Sequence, residues 1–383
     1  MLTEKQQQFI HDNQELETPY LLVDLDLVSQ HYQLLTEALP FAACYYAVKC
    51  NPAGPLLKHL CQLGSRFEVA SIYEMDACLA QGVPIGDIHY GNTIKRSEDI
   101  RLAYEKGVHS FTVDSDSELL KLARNAPQTK VSFRLETDGK GAVFGLDKKF
   151  GARKDDIIAM MLHAAELELV PFGVSFHVGS QQMDPDAWLR ALDQVGEIFA
   201  QVADHGVEPR LVNLGGGWPA KYTPSLDAEA KEIDIFDYAS RIKDKVGELF
   251  DPHTHFVIEP GRFISADAGV IRTRVVLVTH RGDVQRRLRW VFTDVGRFNG
   301  LHDAGIVKYP IKTNKDHHDT EHTVLAGPTC DSDDVLYTER NRLHLPKGLE
   351  EGDDMLIFGT GAYTSSFSTV NFNGFPALKE YYI

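Results

Sequence analysis

Residues 44–71 read CYYAVKCNPAGPLLKHLCQLGSRFEVAS and contain one complete strand–helix–strand unit. CYYAVK and FEVAS are short apolar runs with aromatic and β-branched residues, which is typical of buried strands. Between them, PAGPLLKHLCQLG repeats its apolar residues every three or four positions and ends at a glycine, as an amphipathic helix does. The stretch therefore predicts two parallel strands joined by a helix.

The same alternation continues to about residue 265. Helix-periodic segments such as SEDIRLAYEKG and SDSELLKLARNA separate the strand-like runs. The eight predicted strands occupy residues 44–49, 67–71, 88–92, 110–114, 130–136, 172–178, 211–215 and 255–260. Eight strand–helix units favour closure into a (β/α)8 barrel over an open doubly wound sheet.

The pattern changes in the last third of the chain. GVIRTRVVLVTHRGD, LRWVFTDVG and DDMLIFGTGAY are strand-like and are joined by turns without helices, which predicts a C-terminal antiparallel β domain. TPYLLVDLD at 18–26 is also strand-like and either pairs into that domain or opens the first barrel helix. We predict a barrel over 25–265 and a β-rich domain built from 1–24 and 266–383.

Composition excludes several classes of protein. A formal charge of -16 argues against a nucleic-acid or anionic-membrane partner, because phosphate groups bind basic surfaces. The N-terminus has no apolar signal core, and no apolar run has membrane-spanning length. The cysteines are odd in number and lack C-x-x-C spacing, which predicts neither a disulfide framework nor a metal site. A reducing cytoplasm is the expected compartment.

The active site of such a barrel lies at the carboxyl ends of its strands, so polar residues that close each apolar run are candidates. These are Lys49, Glu68, Asn92, Asp114, Arg134, His177, Gly215, Gly216, Gly217, Glu259 and Arg262. Lys49 would lie in an apolar barrel mouth, where desolvation lowers the pKa of its ammonium and makes the amine a usable nucleophile.

Each of the other motifs also has a structural interpretation. The triplet Gly215–Gly217 allows backbone N–H groups to approach an anion, but an ordinary strand-to-helix turn explains it equally. His177 and Ser180 suit contact with a ring and a phosphate, whereas a buried structural histidine is the alternative. Glu259 and Arg262 in EPGR are adjacent at a turn, and a structural ion pair would explain them too.

Seven motifs occur in order over almost the whole chain, namely YAVKCN, FEVAS, FHVGSQ, GGGW, EPGR, GPTCDSDD and GAYT. Together they resemble the pyridoxal-phosphate (PLP) dependent decarboxylases built on an alanine-racemase-type barrel, and specifically the ornithine/lysine decarboxylases. The resemblance implies decarboxylation of L-ornithine or L-lysine to putrescine or cadaverine, as in polyamine biosynthesis. One methylene contributes only about 1–3 kcal/mol to discrimination, so the sequence leaves the two substrates open.

The resemblance also implies roles for individual residues. Lys49 carries PLP as a Schiff base, Glu259 pairs with the pyridine nitrogen, and His177 stacks on the ring. The phosphate is held by residues of four motifs: Ser180, Gly215, Gly216, Gly217, Gly261, Arg262 and Tyr363. Glu68, Arg134 and Glu74 match further cofactor-site positions.

The C-D motif of this family reaches into the partner subunit, which implies a homodimer with shared active sites. Cys330 would reprotonate the α-carbon, and Asp331 would bind the distal ammonium of the substrate. A second acid usually follows the strand WVFTDVG, but the segment here is shortened. Asp303 is the candidate for that second acid, with His302 beside it as the alternative occupant.

Three other functions remain open. A diaminopimelate decarboxylase would need to accommodate a distal carboxylate, which Asp331 would repel. An amino-acid racemase would need a second base opposite Lys49, where this chain offers Cys330. A non-catalytic homologue that binds a regulatory protein would tend to lose cofactor residues, which this sequence retains.

Overall fold

The computed structural model describes residues 1–145, 149–222, 233–283, 285, 287–315, 317–338 and 343–383. These residues group into two compact units. The barrel unit comprises Ser29–Pro219 and Ile233–Gly261, and the β unit comprises Met1–Val28, residues 220–222 and Arg262–Ile383. Both chain ends enter the β unit, and the barrel unit lies within the range of 25–265 predicted for it.

Elements are numbered along the chain. The strands are β1 (Tyr20–Val23), β2 (Ala42–Ala47), β3 (Arg66–Val69), β4 (Ile88–Tyr90), β5 (Ser110–Val113), β6 (Lys130–Leu135), β7 (Ala142–Phe144), β8 (Val170–Phe176), β9 (Ser180–Gln182), β10 (Leu211–Asn213), β11 (His255–Ile258), β12 (Gly269–Arg281), β13 (Leu288–Thr293), β14 (Ile311–Thr313), β15 (Thr320–Ala326), β16 (Val335–Tyr337), β17 (Leu343–Pro346), β18 (Asp354–Phe358) and β19 (Lys379–Tyr382). The α-helices are α1 (Glu4–Asp12), α2 (Leu25–Ala38), α3 (Gly54–Gln62), α4 (Ile72–Ala80), α5 (Ser97–Glu105), α6 (Asp116–Asn125), α7 (Lys154–Glu166), α8 (Asp186–Ala203), α9 (Ile235–Leu249) and α10 (Arg262–Ser265). Short 3-10 helices cover Val48–Cys50, Ile85–Asp87, Ala266–Ala268, Ser365–Phe367 and Phe372–Gly374. None of the helices in the described ranges combines the length and hydropathy needed to span a membrane.

Eight strands of the barrel unit form a closed barrel in the order β2, β3, β4, β5, β6, β8, β10 and β11. Neighbouring strands are parallel, and β11 closes on β2 with Phe256 opposite Ala42. Each of the eight predicted segments overlaps one of these strands, which confirms the (β/α)8 barrel. Because the strands are parallel, all their carboxyl ends lie at one end of the barrel.

Local sequence signals set the limits of the connecting helices. Helix α3 has Pro55 in its first turn, where the missing N–H of proline would have had no partner. Gly64, with φ of +86°, reverses the chain after α3 in a conformation that is accessible to glycine at little cost. Helix α4 begins after Ser71, whose hydroxyl accepts the N–H of Glu74 at 3.2 Å. These short connections return the chain to the next barrel strand.

The β unit contains a nine-stranded sheet. Its long strand β12 pairs antiparallel with β1, β13 and β18. The predicted C-terminal β domain is confirmed, but the sheet is mixed, because β1 is parallel to β19 and β13 is parallel to β15. A long connection from residue 294 to 319 allows the second parallel pair. The segment TPYLLVDLD provides β1 and also the start of α2.

Two fully buried tryptophans fix the turn that follows β10. Trp188 in α8 and Trp218 stack with their ring centroids 4.7 Å apart. The indole of Trp188 donates a hydrogen bond to Leu214 O at 3.1 Å, and that of Trp218 donates one to Gly215 O at 3.1 Å. Both rings therefore hold the backbone that leads into the glycine triplet.

We expect Trp188→Ala to lower the free energy of unfolding by about 3–5 kcal/mol, the usual cost of deleting a large buried aromatic side chain. Trp188→Phe keeps an aromatic ring but leaves Leu214 O without its indole donor, so it should cost about 1–3 kcal/mol. Urea denaturation followed by circular dichroism compares both variants with the wild type. A Trp188→Ala protein as stable as the wild type would contradict this role.

Candidate active site

Lys49 lies in the 3-10 turn directly after β2, not within the strand as the sequence predicts. Its Nζ is 3.7 Å from Glu68 Oε2, and the two side chains are 41% and 4% exposed. The prediction of an apolar environment for Lys49 is therefore wrong, because the amine is partly exposed and faces a carboxylate. The Ala47 N–H donates to Pro260 O at 3.0 Å, which ties the end of β2 to the turn after β11.

Glu259 follows β11 directly and is held on both its backbone and its side chain. Its N–H donates to Gly215 O at 2.9 Å, and its Oε1 accepts a hydrogen bond from Asn213 Nδ2 at 2.6 Å. Loss of hydration raises the pKa of Glu259 to about 7, and the negative charge of Glu68 adds to the rise. The cation of Lys49 and the Asn213 hydrogen bond act in the opposite direction.

His177 follows β8, and its surroundings favour the uncharged imidazole. Loss of hydration, together with the cations of Arg134 and Lys49, lowers the pKa of His177 well below its usual value of 6.5. The Gly179 N–H donates to Nδ1 of the ring at 3.0 Å, so the ring proton resides on Nε2. Arg134 itself lies in β6 with its guanidinium 5.2 Å from the centroid of the Phe150 ring.

The glycine triplet is required by the packing of the turn. Gly215 has φ of +67°, and a Cβ on it would lie 2.0 Å from Phe176 O. A Cβ on Gly217 would lie 2.5 Å from Gly179 O, and one on Gly216 would lie 2.8 Å from Glu259 O. The structural interpretation of the triplet therefore holds, and anion binding by its backbone stays a prediction. Gly261 is equally confined, since its Cβ would lie 2.7 Å from Cys50 Cβ.

Several predicted polar residues of the barrel unit bind backbone atoms. Glu74 Oε2 accepts the Ala70 N–H at 2.6 Å, and loss of hydration raises the pKa of Glu74 to about 7. Asn92 Nδ2 donates to Ala70 O at 3.1 Å, and Asp114 Oδ2 accepts the Gly151 N–H at 3.0 Å. These contacts shape the strand-end loops.

Ser180 begins β9, which pairs antiparallel with β7 so that Ser180 lies opposite Phe144. This two-stranded ribbon follows His177 directly in the chain, after Val178 and Gly179. The sequence predicts Ser180 at the barrel mouth but does not predict the ribbon, because β7 lies in a polar segment without strand periodicity.

In the β unit, the structure brings Arg262 and Tyr363 together. The buried guanidinium of Arg262 lies 4.5 Å from the centroid of the Tyr363 ring, and its Nη2 is 2.9 Å from Asp303 Oδ2. Nη1 donates to the Tyr222 hydroxyl at 3.2 Å. Burial lowers the pKa of Arg262, but the neighbouring Tyr222 and Asp303 raise it above its usual value. Asp303 therefore has an ion-pair partner of its own, and its contact with substrate stays a prediction.

Cys330 and Asp331 lie exposed in the loop between β15 and β16. Buried Asp334 anchors this loop, because its carboxylate accepts hydrogen bonds from the Thr329 N–H at 3.0 Å and the Arg297 N–H at 2.8 Å. The Cys330 N–H donates to Asn373 Oδ1 at 2.8 Å. His302 is also exposed and lies edge-to-face against Phe367.

Sequence reasoning missed Asn213, Tyr222 and Asp334. Asn213 could have been found, because an amide in the buried strand run LVNLG is out of place unless it has hydrogen-bond partners. Tyr222 and Asp334 carry no comparable signal, since tyrosine and aspartate are ordinary in polar loops.

Comparisons with known proteins agree with these observations. The family model described as pyridoxal-dependent decarboxylase, pyridoxal binding domain, matches residues 25–266. A lysine/ornithine decarboxylase of Selenomonas ruminantium is 32% identical over 366 residues, covering 94% of this chain and 88% of that protein. Antizyme inhibitor 2 of Xenopus laevis is 31% identical over 379 residues, covering 95% of this chain and 80% of that protein. The crystal structure of a lysine/ornithine decarboxylase from Vibrio vulnificus complexed with cadaverine superposes with a TM-score of 0.88 at 29% identity, covering 100% of both chains.

The raised pKa of Glu259 has a consequence for stability. Between its usual value of 4.5 and about 7 the folded state binds more protons than the unfolded chain, so folded stability falls as pH rises through this window. Glu259→Gln removes the charge. It should raise Tm by roughly 2–4 °C at pH 8 and leave Tm almost unchanged near pH 4.5.

Calorimetry of the protein dialysed free of small molecules measures this difference, with the exposed Glu166→Gln as the matched control. A Glu259→Gln protein with the same Tm shift at both pH values would contradict the raised pKa.

Proposed function

The chain belongs to the pyridoxal-dependent decarboxylase family, and from this premise we propose that it decarboxylates L-ornithine, L-lysine or both, releasing CO2 and the diamine putrescine or cadaverine. The observation that carries the proposal is the juxtaposition of an amine and two acids at the carboxyl end of one barrel. Lys49 Nζ is 3.7 Å from buried Glu68, and the charges of both side chains act on the pKa of Glu259. The family and its cofactor follow from the comparisons, whereas the choice of substrate is our inference.

The charges of the barrel unit fit PLP. Oε2 of buried Glu68 accepts no hydrogen bond from a described residue, and Glu259 has a pKa of about 7. Two carboxylates withdrawn from water need positively charged partners. The aldehyde of PLP would react with an amine, and its basic ring nitrogen would bind a carboxylate. Neutral His177 can lie against an aromatic ring without repelling a protonated ring nitrogen.

Bound PLP supplies an electron sink for the carbanion that remains when CO2 leaves. In our proposal Lys49 supplies the amine that joins the cofactor aldehyde. Glu259 accepts the hydrogen bond of the ring nitrogen and so keeps that nitrogen protonated. His177 covers one ring face. Glu68 and Arg134 set the local charge around Lys49 and Glu259.

A phosphate dianion needs fixed donors. We assign this role to residues of four motifs, namely Ser180, Gly215, Gly216, Gly217, Gly261, Arg262 and Tyr363. Support for Arg262 is its buried guanidinium, which Asp303 and Tyr222 hold in a fixed orientation. An arginine guanidinium stays charged at neutral pH, so Arg262 offers a permanent cation to a phosphate.

We further propose a homodimer in the cytoplasm in which Cys330 and Asp331 act in the active site of the partner subunit. Both side chains are exposed on the loop that Asp334 anchors, as residues that serve another subunit would be. Cys330 would return a proton to the α-carbon, and Asp331 would bind the distal ammonium. Asp303 is a secondary candidate for the second acid that binds substrate, because its carboxylate already pairs with Arg262.

Because the chain is similar to an antizyme inhibitor, a non-catalytic function as a binding protein is the alternative to decarboxylation. Lys49, His177, Glu259, Arg262 and Tyr363 are all present, and a protein that binds only a regulator has no need of this set. The aspartate at Asp331 disfavours diaminopimelate as substrate, as the sequence predicts. Decarboxylation of a basic amino acid is therefore the function we adopt.

A substrate panel tests this function. The purified protein with PLP should release CO2 and a diamine from L-ornithine or L-lysine, and neither product from meso-diaminopimelate or the D-isomers. Lys49→Ala should abolish turnover and the visible absorbance of bound PLP, whereas the exposed Lys58→Ala should retain both. Failure of every basic amino acid to yield an amine would defeat the proposal.

Mixing subunits tests the shared site. Lys49→Ala and Cys330→Ala proteins should each be inactive as homodimers. Random reassociation should restore about a quarter of wild-type activity, because half of the dimers are mixed and each of these has one intact site. Activity is measured after reversible dissociation of equimolar subunits. No recovery, with mixed dimers demonstrated by mass spectrometry, would count against sharing.

A further inference from the structure

Asn213 is a buried amide at the last position of β10 that neither the motifs nor the family roles account for. Its Nδ2 donates to Glu259 Oε1 at 2.6 Å, and its Oδ1 accepts the Gly215 N–H at 2.9 Å. Its side chain is therefore bound at both ends, by the carboxylate that follows β11 and by the glycine turn that follows β10. A buried amide with both ends satisfied is well placed to fix its partners.

A third hydrogen bond closes the arrangement. The Glu259 N–H donates to Gly215 O at 2.9 Å, so Glu259, Asn213 and Gly215 form a ring of three hydrogen bonds. Rotation of the Glu259 carboxylate would break the bond to Asn213, and movement of the turn would break the other two. The carboxylate and the glycine turn consequently hold each other in place.

The chemistry at this position requires an amide. Gly215 donates an N–H, so the atom that faces it must be an acceptor, and this leaves Nδ2 to face Glu259 as a donor. An aspartate would accept from Gly215 equally well, but it would place a third negative charge beside Glu68 and Glu259. Only an amide satisfies both neighbours.

We infer that Asn213 is a positioning residue that holds the Glu259 carboxylate and the glycine turn as one unit for cofactor binding. The inference rests on the proposed function and deepens it. The hydrogen bond from Asn213 to Oε1 fixes the orientation of the Glu259 carboxylate, whose remaining acceptor positions can meet a ring nitrogen. Asn213 acts through Glu259.

A double-mutant cycle separates this role from general packing. It compares the wild type, Asn213→Ala, Glu259→Gln and the double variant, and adds the isosteric Asn213→Asp. Ser175→Ala is the matched control, because Ser175 lies opposite Asn213 on β8 and its buried hydroxyl has no hydrogen-bond partner among the described residues. The readouts are the Kd for PLP, from absorbance titration of the cofactor-stripped protein, and kcat and KM of the reloaded enzyme.

Asn213→Ala and Asn213→Asp should each weaken PLP binding by about tenfold or more, as expected for loss of a hydrogen bond to a charged group. kcat should fall while KM for the amino acid stays near the wild-type value. Adding Asn213→Ala to Glu259→Gln should cause little further loss, because the partner is already changed. Ser175→Ala should bind PLP like the wild type.

Additive effects of Asn213→Ala and Glu259→Gln on the Kd for PLP would overturn the inference. Wild-type PLP affinity in Asn213→Asp, which keeps the contact with Gly215, would overturn it too. A loss in Ser175→Ala as large as that in Asn213→Ala would assign the effect to packing and would also overturn it. If Asn213→Ala fails to fold, the isosteric Asn213→Asp replaces it in the cycle. A wild type that neither binds PLP nor releases a diamine would defeat the proposed function and this inference together, whereas additivity in an active enzyme defeats only the inference.

Discussion

Glu68 and Glu259 repel each other at the same end of one barrel, and the rest of the site has to compensate for their negative charge. Loss of hydration raises the pKa of Glu259, and the negative charge of Glu68 adds to the rise. Lys49 and Arg134 supply the opposing charge within the barrel unit. A bound group that brings a further positive charge would relieve the remaining repulsion. The site is therefore suited to a ligand with a basic ring nitrogen.

The barrel meets this constraint by joining residues that are far apart in the chain. Parallel closure of the barrel places the carboxyl ends of β2, β3 and β11 side by side. Lys49, Glu68 and Glu259, which lie at these ends, therefore converge. Backbone hydrogen bonds from Ala47 to Pro260 and from Glu259 to Gly215 then fix the loops that follow these strands. The stacked tryptophans hold the glycine turn from the other side. The turn that these contacts stabilise is thus the one that we propose for cofactor binding.

Strand positions and most of the candidate residues could be predicted from the sequence, because apolar runs and the polar residues that close them are local signals. CYYAVK and HFVIEP, for example, each predict both a strand and a candidate site residue at its carboxyl end. Pairings between distant residues could not be predicted. The Arg262–Asp303 ion pair joins positions whose sequence neighbourhoods give no sign of contact, and the parallel pairing of β13 with β15 depends on a long connection. The sequence places Lys49 and Glu68 at the same barrel end, but the prediction of an apolar environment for Lys49 is wrong, because the distance between side chains of neighbouring strands is not a local signal.

The most direct test of the account is to identify the amine that binds the cofactor. The purified protein is incubated with PLP, reduced with borohydride so that the cofactor is fixed to whichever amine it has joined, and digested for peptide mass spectrometry. We expect modification of Lys49, and we expect this modification to be lost in a protein in which the acids Glu68 and Glu259 are both replaced by glutamine. Modification of other lysines with Lys49 untouched, or unchanged labelling of Lys49 without the two acids, would contradict it.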